Sequence, residues 1–182
     1  LGFSSEAVVL FTPFHMGPGL AIKALAGRRF CIVAFGIAQI AMDIEPLLGL
    51  LRGADVLHGG THTYWAATLI GLIVAALTPP IGDRLVRRLN RELDLYGLRR
   101  LIESPSVSRT GVLLGALSGT LSHVVLDSVM HADIAPLLPW SKGNPLYGAI
   151  AIDTLHWLCL IAGVLGGVIY AATAWAKHRK AS

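Results

Sequence analysis

The sequence predicts an all-α, multi-pass membrane protein: a helical bundle of about four spanning helices, forming a single integral membrane domain over residues 1–182. Hydrophobic residues make up 54% of the chain and charged residues only 14%, whereas soluble domains carry about a quarter charged residues. The apolar residues are concentrated in four long stretches, and a helix crosses a bilayer core with roughly 20 residues. Basic residues gather at the ends of these stretches, as they do beside membrane spans.

The first predicted helices are placed by helix-breaking prolines and glycines and by long apolar stretches. A short N-terminal helix is predicted from about Leu20 to Ala26, because the proline- and glycine-rich segment 13–19 interrupts any helix before it. Arg28 and Arg29 end this helix. The first span is predicted over residues 30–51 and the second over residues 64–80, where the pair Pro79-Pro80 is expected to end it.

The most strongly charged part of the chain, residues 81–109, places leucines among arginines. This pattern is typical of an amphipathic helix on the membrane surface, with Pro105 ending it, and we interpret the segment as a cytoplasmic, basic amphipathic connection. The third span is predicted over residues 110–131. A proline-rich loop, residues 133–145, leads to the fourth span over residues 146–176.

The distribution of charge predicts the topology. Cytoplasmic loops carry an excess of Lys and Arg, and this rule is satisfied if the Arg28-Arg29 pair, residues 81–109 and the basic segment 177–180 all lie in the cytoplasm. The protein is then expected in the inner (plasma) membrane with a cytoplasmic C-terminus. The formal charge of +4 is interpreted as a contact with membrane lipid rather than with nucleic acid. For protein partners, a homo-oligomer and a larger membrane complex are both kept as alternatives.

This topology places most polar residues of the spans at one depth, on the periplasmic side. An ionisable residue inside the bilayer costs roughly 2.5–3.5 kcal/mol, which makes it a functional candidate. Imidazoles and carboxylates together are the ligands of zinc and other divalent metals. The candidates are His15, Asp43, Glu45, His58, His62, His123, Asp127, His131, Asp133, Asp153 and His156.

The sequence spacing of these candidates indicates which of them could bind the same ion. His58 and His62 are four residues apart and would share one face of a helix. His123, Asp127 and His131 repeat that spacing along about 12 Å, which is too long for one ion to bind all three. His123 and Asp127 could therefore share one metal, or Asp127 could bridge two.

The remaining candidates are less central to a metal site. His131 and Asp133 are expected to face substrate or to support the ligands. Asp153 and His156 are three residues apart, and a structural pair competes with a pair of ligands there. Gln39, one turn before Asp43, is expected only to pack.

Four short motifs follow one another along the chain: Thr12-Pro13-Phe14-His15, Asp43-Ile44-Glu45-Pro46, His58-x-x-Thr61-His62-Thr63 and Gly119-x-x-Ser122-His123-x-x-x-Asp127. In this order and spacing they resemble the YdjM-like family of membrane-bound, predicted metal-dependent hydrolases. The resemblance implies a metal-site set of His15, Asp43, His58, His62, His123 and Asp127. The family often has Asp at the position of Glu45 and commonly Arg at that of Gly59.

The leading hypothesis is a membrane-bound hydrolase with one or two divalent ions, zinc being favoured, which would lower the pKa of a bound water. Asp43 or Glu45 is the candidate general base if it is not itself a ligand. A site at the outer membrane face favours an amphiphilic substrate, such as a lipid phosphate ester. The alternatives are a non-catalytic membrane subunit or assembly factor, in which the His/Asp cluster is structural, and a transporter.

Overall fold

The computed structural model of the protein describes residues 13–102 and 108–181. Within these residues the regular structure is entirely helical, in agreement with the predicted fold class. The long helices are α1 (Met16–Ala26), α2 (Ile32–Leu51), α3 (Tyr64–Leu95), α4 (Arg109–Met130) and α5 (Ile152–Ala181). Short 3-10 turns cover Pro13–His15, Gly27–Arg29, Gly60–His62 and Arg99–Leu101. Four helices are long and apolar enough to cross a membrane: α2, α3, α4 and the segment Ile152–Ala176 of α5.

Glycines bring α4 directly against α2. A Cβ atom on Gly115 would lie 2.3 Å from the carbonyl oxygen of Cys31, and one on Gly119 would lie 2.7 Å from the Cβ of Ala38. Such close backbone approach is typical of small residues between membrane helices, where dispersion contacts replace the hydrophobic effect. The four-residue spacing from Gly115 to Gly119 continues along α4 to His123 and Asp127. The packing stripe therefore carries both side chains into the bundle.

The short helix α1 packs mainly on α5, whereas α5 makes few contacts with α4. A Cβ on Gly17 would lie 1.9 Å from the carbonyl oxygen of Cys159, and one on Gly166 would lie 2.5 Å from the amide nitrogen of Ala21. Because backbone faces backbone at both points, the two helices can approach closely only with glycine there.

The prediction that Pro79 and Pro80 end the second span is wrong, because α3 runs through them to Leu95. Each proline removes one amide donor but keeps a helical φ, and in membrane helices neighbouring turns tolerate this loss. Residues 81–95 of the predicted surface connection thus continue helix α3 without a break, and the chain turns at Gly97, where φ is +70°. Pro105, which was expected to end the connection, lies outside the described residues.

Two other predicted helix starts are shifted. The fourth span begins at Ile152 and not at residue 146, since Gly148 adopts a left-handed φ of +69° and its amide donates to the Val129 carbonyl at 3.0 Å. The N-terminal helix begins at Met16, before the predicted Leu20. Pro18 is accepted there because the first amides of a helix have no intrahelical partner.

Candidate metal centre

Four of the helices bring polar side chains to the same end of the bundle. His15 precedes α1, Asp43 lies toward the end of α2, and His62 lies in the turn before α3. His123 and Asp127 lie on the last turns of α4, which ends at Met130. Helix order alone therefore gathers residues that are far apart in the sequence.

Asp127 is at the middle of this cluster. Its side chain is 5% exposed, and the Nε2 atoms of four histidines surround it. His15 lies 3.5 Å from Oδ1. Oδ2 lies 3.1 Å from His123, 3.4 Å from His62 and 3.9 Å from His58. We call these five residues the Asp127 cluster.

The cluster leaves buried nitrogen atoms unsatisfied. Among the residues that the structure describes, the Nε2 atoms of His15, His62 and His123 are buried and have no hydrogen-bond partner. They lie near the carboxylate without making a hydrogen bond to it. A buried polar atom without a partner costs about 1–3 kcal/mol, and coordination of a metal ion would give such nitrogen atoms a partner. The donor set therefore fits a divalent metal.

His58 also takes part in a second group. Asp133 accepts hydrogen bonds from the amides of Leu57 and His58, both at 3.1 Å, and its Oδ1 lies 3.0 Å from His58 Nδ1. The ring of His131 stacks on that of His58 with centroids 4.2 Å apart. Like the trios His15–His123–Asp127 and His58–His62–Asp127, the trio His58–His131–Asp133 has ligand atoms close enough to hold an ion.

Two expectations from helical spacing are wrong. His58 and His62 do not share a helix, because α3 begins only at Tyr64 after the 3-10 turn Gly60–His62. The loop nevertheless brings their rings to 4.9 Å. His131 does not continue the stripe of His123 and Asp127, since it has extended dihedral angles at the end of α4.

Burial sets the protonation of the groups outside the spanning helices. It lowers the pKa of His15 from 6.5 to about 4, although the Asp127 carboxylate opposes the shift. Burial and the nearby rings of His131 and His62 also lower the pKa of His58. For Asp133, burial raises the pKa, but hydrogen bonds and charge from His58 outweigh it and hold the pKa below its usual value. Near pH 7 these are neutral imidazoles and a charged carboxylate, the states that bind metals.

Comparison with known proteins places the chain in a family. The model of the YdjM inner membrane protein family matches residues 15–181. The chain belongs to this family. No curated protein and no solved structure matches it. The match includes every residue of the Asp127 cluster, whereas Thr12, in the first motif, precedes it and lies outside the described residues.

In this YdjM family member, one residue that sequence reasoning assigned only to packing contacts the cluster. Gln39 Oε1 lies 2.7 Å from His123 Nδ1, and Gln39 Nε2 donates to the Gly119 carbonyl at 3.2 Å. An amide oxygen can only accept, so His123 Nδ1 carries the proton, and in the neutral ring Nε2 presents its lone pair to Asp127. The position of Gln39 one turn before Asp43 was the available signal.

The two carboxylates of α2 differ in their surroundings. Asp43 Oδ1 lies 3.4 Å from His123 Nε2, and its side chain is 18% exposed. Glu45, 34% exposed, lies 3.7 Å from His62 Nδ1. Its Oε2 accepts hydrogen bonds from the Thr61 amide at 3.1 Å and from the Thr61 hydroxyl. Glu45 thereby holds the loop that carries His62, and Pro46 does not end the helix.

Glu45 and Gly59 are neighbours in space. A Cβ on Gly59 would lie 2.6 Å from Glu45 Oε1. The absence of a side chain at residue 59 therefore leaves room for the longer carboxylate at residue 45.

Asp153 and His156 lie at the edge of the centre. Asp153 is exposed and belongs to none of the three trios. His156 stacks on Phe14, next to His15, with ring centroids 4.9 Å apart. His156 therefore packs beside the His15 turn.

Proposed function

We propose that this protein is a membrane-bound, metal-dependent hydrolase whose centre is the Asp127 cluster. One observation carries the proposal: a buried carboxylate is surrounded by four imidazoles, and the Nε2 atoms of three of them, His15, His62 and His123, have no hydrogen-bond partner among the described residues. A hydrogen-bonded His/Asp network would instead direct N–H groups at the carboxylate. Nitrogen and oxygen donors in this number suit zinc or another divalent ion.

The ion would supply a Lewis acid that polarises the scissile group and acidifies water. In the proposal, Asp43 is the general base. Its carboxylate lies beside the cluster but is more exposed than Asp127, so that it can reach both water and the reacting group. Glu45 is the weaker candidate because one of its oxygens already accepts two hydrogen bonds from Thr61.

The position of the cluster suggests the class of substrate. Asp127 lies three residues before the end of α4, which is about 4.5 Å along a helix. A group that reacts there lies near the membrane surface, so an amphiphilic molecule can present its head group while its chain stays in lipid. We propose a phosphate ester of such a molecule as substrate. The basic flanking segments support a centre on the outer side of the inner membrane.

The test is metal content and hydrolysis measured on the same purified samples of wild type, Asp127→Asn, Asp43→Asn and Asp55→Asn. Asp55 is an exposed carboxylate of the loop before His58 and serves as the control. A long-chain phosphomonoester in mixed micelles and a soluble aryl phosphate are the substrates.

Wild type and Asp55→Asn are expected to bind metal and to hydrolyse the long-chain phosphomonoester faster than the soluble aryl phosphate. Asp127→Asn should lose metal, whereas Asp43→Asn should keep metal and lose at least 100-fold in rate. Full metal content in Asp127→Asn would remove the proposed centre. Metal without hydrolysis of either ester would favour a non-catalytic membrane subunit with a structural ion.

A further inference from the structure

We propose that the centre holds two divalent ions, with the Asp127 carboxylate bridging them. This inference rests on the proposed metal-dependent function and specifies its cofactor. The first ion would be bound by His15 and His123 and the second by His58 and His62. Asp127 is the ligand that both trios share.

The two oxygens of Asp127 face different sides of the cluster. Oδ1 faces His15, and Oδ2 faces His123 and both histidines of the loop before α3. The His123 ring is next to both His15 and His62, with its centroid 5.0 Å from that of His15 and 5.4 Å from that of His62. A carboxylate with histidines on both of its oxygens has the arrangement that a bridge between two ions requires.

The number of donors exceeds what one zinc ion takes. Zinc in proteins is almost always bound by four ligands, and the cluster offers four imidazoles besides the carboxylate. An ion in the trio of His58 and His62 alone would leave the Nε2 atoms of His15 and His123 as they are now, buried and without a partner among the described residues. Two ions give a ligand role to every unpartnered Nε2 atom of the Asp127 cluster.

The number of negative charges near the cluster agrees with two divalent ions. Four carboxylates contact the histidines of the cluster: Asp43 at His123, Glu45 at His62, Asp133 at His58, and Asp127 at all four. Two divalent cations would carry as much positive charge as these four carboxylates carry negative charge. Glu45 and Asp133, each about a third exposed, are also stabilised by hydrogen bonds from Thr61 and from the Leu57 and His58 amides.

The test is the metal stoichiometry of full-length protein after loading with Mn²⁺ or Zn²⁺ and removal of free metal. We expect two ions per chain in wild type and in Asp55→Asn. One ion is expected in His15→Ala and in His58→Ala, because each variant loses a ligand of only one of the two proposed ions. The Mn²⁺-loaded wild type should give an exchange-coupled electron paramagnetic resonance spectrum, and both histidine variants an uncoupled one.

The outcomes separate this inference from the proposed function. One ion per wild-type chain with an uncoupled spectrum would overturn the two-ion centre, and hydrolysis by such a sample would leave the metal-dependent function standing. A wild-type chain that binds no ion would overturn both. The spectrum and stoichiometry of wild type decide the matter even where a variant does not fold.

Discussion

Gln39 on α2 and His123 on α4 are joined by a hydrogen bond of 2.7 Å between Oε1 and Nδ1, and both side chains are buried. The amide of Gln39 cannot turn over, because its nitrogen donates to the Gly119 carbonyl. This bond fixes which nitrogen of His123 is protonated. It also aims the other nitrogen at Asp127.

Gln39→Met is therefore expected to weaken metal binding by about 10- to 100-fold, the usual effect of removing a group that orients a metal ligand. Gln39→Glu keeps an acceptor for His123 Nδ1 and should recover much of the affinity. Competition with a chromophoric chelator measures both. Ser122→Ala is the control, since Ser122 contacts the Gln39 nitrogen and not His123. Equal affinity in wild type and Gln39→Met would contradict the orienting role.

Two adjacent glycines in the loop before His62 should differ in their tolerance of alanine. A Cβ on Gly59 meets the Glu45 carboxylate at 2.6 Å, whereas one on Gly60 meets nothing within 4 Å. Gly59→Ala forces the end of the Glu45 side chain to shift, which should strain its bonds to Thr61 and destabilise the protein by about 1 kcal/mol, while Gly60→Ala should stay within about 0.5 kcal/mol. Thermal unfolding in detergent measures both, and equal effects would argue against the contact.

A similar pair tests the packing of α1 on α5. A Cβ on Gly166 would lie 2.5 Å from backbone of α1, but one on Gly167 has no neighbour within 4 Å. Gly166→Ala should cost about 1–3 kcal/mol through overpacking. Gly167→Ala should be nearly neutral. If Gly166→Ala unfolds at the same temperature as Gly167→Ala, α1 and α5 are not in backbone contact at Gly166.

Topology is tested by labelling single cysteines in intact cells, after Cys31 and Cys159 have been replaced by alanine. With basic segments in the cytoplasm, a cysteine at the exposed Lys142 should react with an impermeant maleimide. A cysteine at the exposed Arg91 should react only after lysis. The reverse pattern would place the Asp127 cluster on the cytoplasmic side.

Hydropathy and the positions of arginines predicted the four spans, because both are set by the membrane and need no knowledge of packing. Helical periodicity was less informative at the ends of the spans. The segment around His58 and His62, which contains Gly59 and Gly60, forms a loop instead of the expected helix. Helix α4 ends one residue before His131. Gln39 was assigned to packing because an uncharged amide gives no signal until its partner on another helix is known.

The dependence of α1 on α5 has a consequence for biosynthesis. Among the described helices α1 is made first and α5 last, yet α1 packs mainly on α5. Until α5 has entered the bilayer, α1 lacks its main packing partner, and the turn of His15 is held only by contacts such as those with Asp127 and His123 of α4. The Asp127 cluster is therefore fully packed only once α5 has entered the bilayer.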